Sequence, residues 1–144
     1  MTYGLFHDLT IKASLEEVFT AITTSEELDK WWTKESAGQP KVGTTYQFYF
    51  APEYDWQAKV VRCQVNQRIY FEMTQADQDW EETQLRFVLS EANGVTVLRF
   101  EHVGWESNND HFRRTSYCWA IYLHGLKKYL EQGIVIPYDL RSQV

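Results

Sequence analysis

Four histidines, two cysteines and a short acidic run are the residues of this 144-residue chain best suited to chemistry. His7, His102, His111 and His124 include no i, i+4 pair, and no His-Glu-x-x-His occurs. Cys63 and Cys118 stand apart, without the spacing of a ligand pair. A metal site needs ligand types that converge in space, so no metal centre is expected. Gly-rich phosphate loops, Gly-x-Ser-x-Gly and the dinucleotide fingerprint are also missing, so no nucleotide cofactor is expected. Asp77, Asp79, Glu81 and Glu82 cluster near the start of a strand. They read as a solvated loop, because glycoside chemistry needs two carboxylates facing each other across a cleft. No catalytic residue is assigned.

His102 is the polar residue of most interest. Strand alternation puts it on the same face as Leu98 and Phe100, and His7 has the matching parity on the first strand. Three readings stand: a polar handle for a ligand, a general acid or base, or a histidine hydrogen-bonded at the end of the core. A lone imidazole with no orienting partner in view favours the last. Trp31 and Trp32 are adjacent and point about 100° apart on a helix. One is expected to pack beneath the helix and the other to line a pocket entrance.

These residues need elements to hold them. Tyr3, Leu5, Leu9 and Ile11 alternate and predict a first strand. Ser14-Leu15-Glu16-Glu17 reads as a capping box that opens a short helix, and Thr24-Ser25-Glu26-Glu27 as a second box opening another. Lys34 to Gly43 holds the breakers Gly38, Pro40 and Gly43. From there the period is two: Tyr46, Phe48 and Phe50; Ala58 and Val60; Ile69, Phe71 and Met73; Thr83, Leu85, Phe87 and Leu89; Thr96, Leu98, Phe100 and His102. Asn93-Gly94 marks a hairpin, since both residues tolerate positive φ. The result is an antiparallel meander. Between Asp110 and Glu131 the period changes to that of an amphipathic helix, with Phe112, Thr115, Trp119, Tyr122, Leu123 and Leu126 inward. Asp110 is its expected N-cap and Gly133 its stop.

Composition bounds the partners. Net charge is −6 and there is no basic run, which argues against nucleic acid and anionic membrane. No apolar stretch approaches the ~20 residues of a membrane span, no signal peptide is read at the start, and the two cysteines read as reduced thiols, so a cytoplasmic setting is expected. Aromatic residues make up 16% of the chain, enough to demand a large interior or a lined cavity.

Several segments together resemble a known family. They are Ile11-Lys12-Ala13-Ser14-Leu15-Glu16-Glu17-Val18-Phe19, Leu28 with Trp31-Trp32, His102 with Gly104 and Trp105, and the run from Trp119 through Leu123, Leu126, Lys127, Tyr129, Leu130, Glu131 and Gly133 to Pro137 and Tyr138. The chain is similar to the activator of heat-shock protein 90 ATPase homologues of the START-like (SRPBCC) superfamily. That resemblance implies an α+β helix-grip fold over residues 1–144 as one domain. It would have a curved antiparallel sheet around a long C-terminal helix, with two short helices after the first strand. The superfamily includes lipid and hormone binders, aromatic cyclases and chaperone regulators, so fold alone does not fix function.

The leading expectation is a small soluble protein that binds an apolar or aromatic molecule between sheet and helix. The expected contacts are Trp32, Phe48, Phe71, Met73, Leu85, Phe87, Leu98, Phe100, His102, Trp119, Leu123 and Leu126. Alternatives are a cyclase-like or hydrolase-like enzyme on a hydrophobic substrate, and a chaperone ATPase regulator. The last ranks lowest because the eukaryotic activators carry an additional N-terminal domain, and none is expected ahead of the first strand here. Tyr117 and Ile121 on the outer helix face leave room for a weak homodimer.

Overall fold

The chain is described over residues 1–143 by a computed structural model. Its strands are β1 (Tyr3–Ile11), β2 (Glu35–Ala37), β3 (Thr45–Ala51), β4 (Tyr54–Gln64), β5 (Arg68–Gln75), β6 (Gln84–Ala92) and β7 (Val95–Trp105). Its helices are α1 (Leu15–Thr23), α2 (Ser25–Leu28) and α3 (Asp110–Gln132), followed by a terminal 3₁₀ helix (Tyr138–Gln143). The strands form one sheet in the order β1-β7-β6-β5-β4-β3-β2, with every neighbouring pair antiparallel. From β2 to β7 each strand pairs with the next in sequence, as short links require. The long connection brings β1 against β7.

Alternation decides which side chains enter the core. Leu5, His102 and Leu85 share one cross-strand row, and His7, Phe100 and Phe87 the next. His7 therefore faces Phe100 rather than His102. Register shifts in β1, β3 and β4 mark bulges, which bend strands and curl the sheet. Gly38 beside β2 shows how tightly that edge packs. A Cβ there would lie 2.4 Å from the Tyr46 ring, and its φ of +156 is one that side chains rarely adopt.

α1 starts at a full capping box, with Ser14 and Glu17 bonding reciprocally. The predicted second box does not form. α2 is only four residues long, and Thr24 makes no side-chain cap. Glu27 instead accepts from Tyr129 Oη at 2.7 Å and pairs with Lys30 at 2.9 Å. α3 is capped by Asn109, one residue earlier than expected, through Phe112 N at 3.0 Å. It stops at Gly133, whose φ is 71. Glu131 ties its far end to β1 by accepting from Lys12 N and Lys127 Nζ, both at 2.8 Å. The tail after Pro137 is anchored by Arg141, which donates to the carbonyls of Ile136, Thr33 and Asp29. Among the described residues no helix is long and apolar enough to cross a membrane.

Candidate functional site

Two rows of side chains run along α3. Thr115, Trp119, Leu123 and Leu126 are its buried residues. His111, Arg114, Cys118 and Tyr122 repeat at the same helical spacing on a neighbouring stripe, and with Thr115 and Trp119 of the buried row they line an open cavity of about 570 Å³. Trp32 after α2, Phe50 of β3, Tyr54 and Trp56 of β4, Asp77 and Trp80 of the β5–β6 link, and Tyr138 complete its lining. Tyr138 is fixed by a 3.3 Å bond to Phe50 O.

The aromatic rings of this wall support one another. Ring centres of Trp32 and Trp119 are 5.0 Å apart, and those of Trp56 and Trp80 are 4.6 Å apart. Trp80 stacks on Trp119 at 6.1 Å with planes 23° apart. Offset and tilted rings at these separations are favourable beyond their buried area. The wall is thus set before any ligand arrives.

The residues predicted to touch a ligand divide in two. Trp32 and Trp119 line the cavity. Phe48 and Phe100 stand directly behind them, at 4.6 Å from Trp32 and 4.4 Å from Trp119. Phe71, Met73, Leu85, Phe87, Leu98, Leu123 and Leu126 lie in the packed core beneath. Trp31 is also buried in that core, and its indole N–H donates to Ala21 O at 2.9 Å.

His102 is fully buried behind the tryptophans, and its bonding fixes its proton. Trp119 Nε1 approaches His102 Nδ1 at 3.2 Å, and an indole nitrogen can only donate. Nδ1 is therefore the acceptor and Nε2 carries the hydrogen. Nε2 then donates to Thr83 Oγ1 at 2.9 Å, and Thr83 donates to Trp80 O at 2.5 Å. Burial, with a smaller contribution from the nearby His111, pushes the imidazole pKa down to about 3. A neutral ring with both nitrogens engaged has no lone pair to offer a substrate. His102 is a strut that holds Trp119 and the Trp80 backbone at the cavity wall.

The other histidine of the site is placed differently. His111, in the first turn of α3, lies 3.0 Å through Nδ1 from Asp79 Oδ2. Asn109 Nδ2 reaches the same oxygen at 3.3 Å. These bonds hold the Asp79 carboxyl below its usual range, the His111 bond most strongly. Both partners of the pair are partly exposed, at 28% for the His111 side chain and 40% for Asp79, and the cavity is lined by His111 with Asp79 behind it. Among the described residues no group of three or more His, Cys, Asp or Glu is placed to hold a metal ion.

Sequence reasoning missed Phe50, Tyr54, Trp56, Trp80, His111, Arg114, Cys118 and Tyr138 as cavity residues. A tryptophan inside the polar run Asp77–Glu82 was the available signal, since water is a poor setting for an indole. A smaller hollow of about 290 Å³ lies on the outer side of α3, between Lys30, Ala120, Gly125, Lys128 and Ile136. Its lining holds two large aromatic side chains, Trp31 and Tyr122, against the four tryptophans of the larger cavity, which is the better candidate.

The family model described as activator of Hsp90 ATPase homolog 1-like protein matches residues 12–131. Among solved structures, the chain is similar to the solution structure of the Aha1 dimer from Colwellia psychrerythraea. Identity is 31%, the TM-score is 0.83, and the match covers 91% of this chain and 98% of that one. It is also similar to SSP2350 from Staphylococcus saprophyticus, at 20% identity and TM-score 0.79 over 93% and 96% of the two chains. CalU16 from Micromonospora echinospora shares 18% identity at TM-score 0.76, over 99% and 83%. No curated protein matches the chain.

Proposed function

Since the chain belongs to the activator of Hsp90 ATPase homolog 1-like family, we propose that it binds a small apolar or aromatic molecule between the sheet and α3. The observation that carries this reading is the open cavity of about 570 Å³, walled by rings from separate parts of the fold. Its size is in the range of small-molecule sites, and aromatic side chains make up much of its lining beside the polar Asp77, His111, Arg114 and Thr115. The molecule would lie among the indoles of Trp32, Trp56, Trp80 and Trp119. Cys63 and Cys118 are free thiols, which suits a cytoplasmic setting.

The test is titration with an anilinonaphthalene dye, followed by dye emission and by quenching of the protein's tryptophans. Cys118→Trp should place a large ring in the cavity and abolish binding, while leaving stability within about 1 kcal/mol because empty space receives it. A parent that fails to bind dye, or a variant that binds it as well as the parent, removes the reading. A second reading, an enzyme acting on a hydrophobic substrate, is favoured by the Asp79–His111 pair, whose histidine lines the cavity. The Colwellia relative is a dimer. We carry a weak homodimer over as a proposal, checked by light scattering across protein concentration.

A further inference from the structure

We propose that Asp79 and His111 form an acid–base dyad that moves a proton to and from an aromatic substrate lying in this cavity. The proposal rests on the cavity being a ligand site.

Geometry supports it at three points. First, the carboxylate is positioned. Asp79 Oδ2 accepts from His111 Nδ1 at 3.0 Å and from Asn109 Nδ2 at 3.3 Å. Asn109 is itself held, because its Oδ1 caps α3 at Phe112 N. Second, a carboxylate on Nδ1 fixes the hydrogen there and leaves Nε2 with the lone pair, the arrangement in which an imidazole acts as base. Nε2 of His111 has no hydrogen-bond partner among the described residues, and the ring lines the cavity. His102, by contrast, has both nitrogens engaged. Third, Arg114 lies one turn further along the same wall and pairs with no acid among the described residues. Its guanidinium is available to an anion forming on the substrate.

The chemistry this arrangement suits is isomerisation of a conjugated carbonyl compound. A C–H bond beside the carbonyl breaks and its electron pair stays on the substrate as an enolate. The proton moves to Nε2 and is then delivered to a different carbon of the conjugated system. Atoms and electrons balance within the substrate and His111, with no further reactant.

Nitrobenzisoxazole is a suitable probe, being flat, aromatic and dependent only on a base. Loss of its ring proton to the base forms a nitrile as the N–O bond breaks, and the electron pair leaves on oxygen as a coloured phenolate. Probe binding is read by tryptophan quenching and turnover by phenolate absorbance. The parent should show saturable turnover faster than free imidazole at the same concentration. His111→Gln should lower kcat by about tenfold or more while KM moves less than about twofold. Asp79→Asn should also lower kcat at constant KM, and Asp79→Glu should restore much of it, which a merely structural tie would not do. His124→Gln, on the outer side of α3, should leave the rate unchanged. Parent turnover no faster than imidazole, or equal rates in parent and His111→Gln, would overturn the dyad. If the probe binds in that case, the cavity reading stands without it. If the probe does not bind, both fall.

Discussion

Acid should weaken this fold through one residue in particular. In the folded chain the His102 imidazole is driven down to about 3 from an ordinary 6.5. The unfolded chain therefore takes up this proton first as pH falls. Stability is highest where both states are neutral, above about pH 6.5, and is lost as pH drops toward 3, at about 1.4 kcal/mol per pH unit. By about pH 4 the loss through His102 amounts to about 3 kcal/mol, a large share of the stability of an ordinary domain. The chemical cost is specific. Protonating Nδ1 puts two hydrogens between His102 and Trp119 Nε1, where one lone pair had accepted. The assay is urea unfolding at neutral pH and at about pH 4, for the parent and for His102→Gln. Glutamine keeps an acceptor for Trp119 and a donor for Thr83 but does not titrate. Carboxylates titrate alike in both proteins and cancel. The parent should lose about 3 kcal/mol more than the variant over that interval. Parallel losses in the two proteins would refute the assignment of a buried neutral imidazole.

Two further outcomes follow from packing and backbone. Leu123→Trp, unlike Cys118→Trp, should cost roughly 1–3 kcal/mol or more by urea unfolding, because Leu123 is 2% exposed and sits in packed core rather than on the cavity wall. Gly133→Ala should cost about 1 kcal/mol, because the residue holds φ at 71 in the left-handed region. Nothing lies within 4 Å of the added methyl, so a thermal shift there reports backbone strain alone.

The elements were legible because their signals are local. Period-two runs found the strands that carry Phe48, Phe71, Phe87 and Phe100. Asn93 and Gly94 do adopt positive φ, 53 and 80, at the turn. The helical period found α3 with its end at Gly133. Where the signals depended on distant partners, the reading slipped. Glu27 fits a capping box by its local pattern, yet it accepts from Tyr129, far along the chain. Arg141 appeared as part of a tail, because nothing in its neighbourhood shows that the carbonyls of Asp29 and Thr33 will meet it. β2 is only three residues in a segment full of breakers and exists by pairing with β3.

The candidate site was harder to read for a related reason. Periodicity says which face of an element is apolar, but not whether that face meets another surface or an opening. Along α3 the answer differs between its halves. The C-terminal half is clamped: Leu123 and Leu126 are buried, Tyr129 bonds Glu27, and Glu131 bonds Lys12 and Lys127. In the N-terminal half Trp119 packs on Phe100 of the sheet, and the indoles of Trp80, Trp105 and Trp119 gather around His102. Beside those rings the adjoining stripe, His111, Arg114 and Cys118, faces the cavity. Polar groups there need no buried partner because the cavity is open. The N-terminal half of α3 therefore serves two surfaces, with Thr115 and Trp119 turned to the core and His111, Arg114 and Cys118 to the cavity.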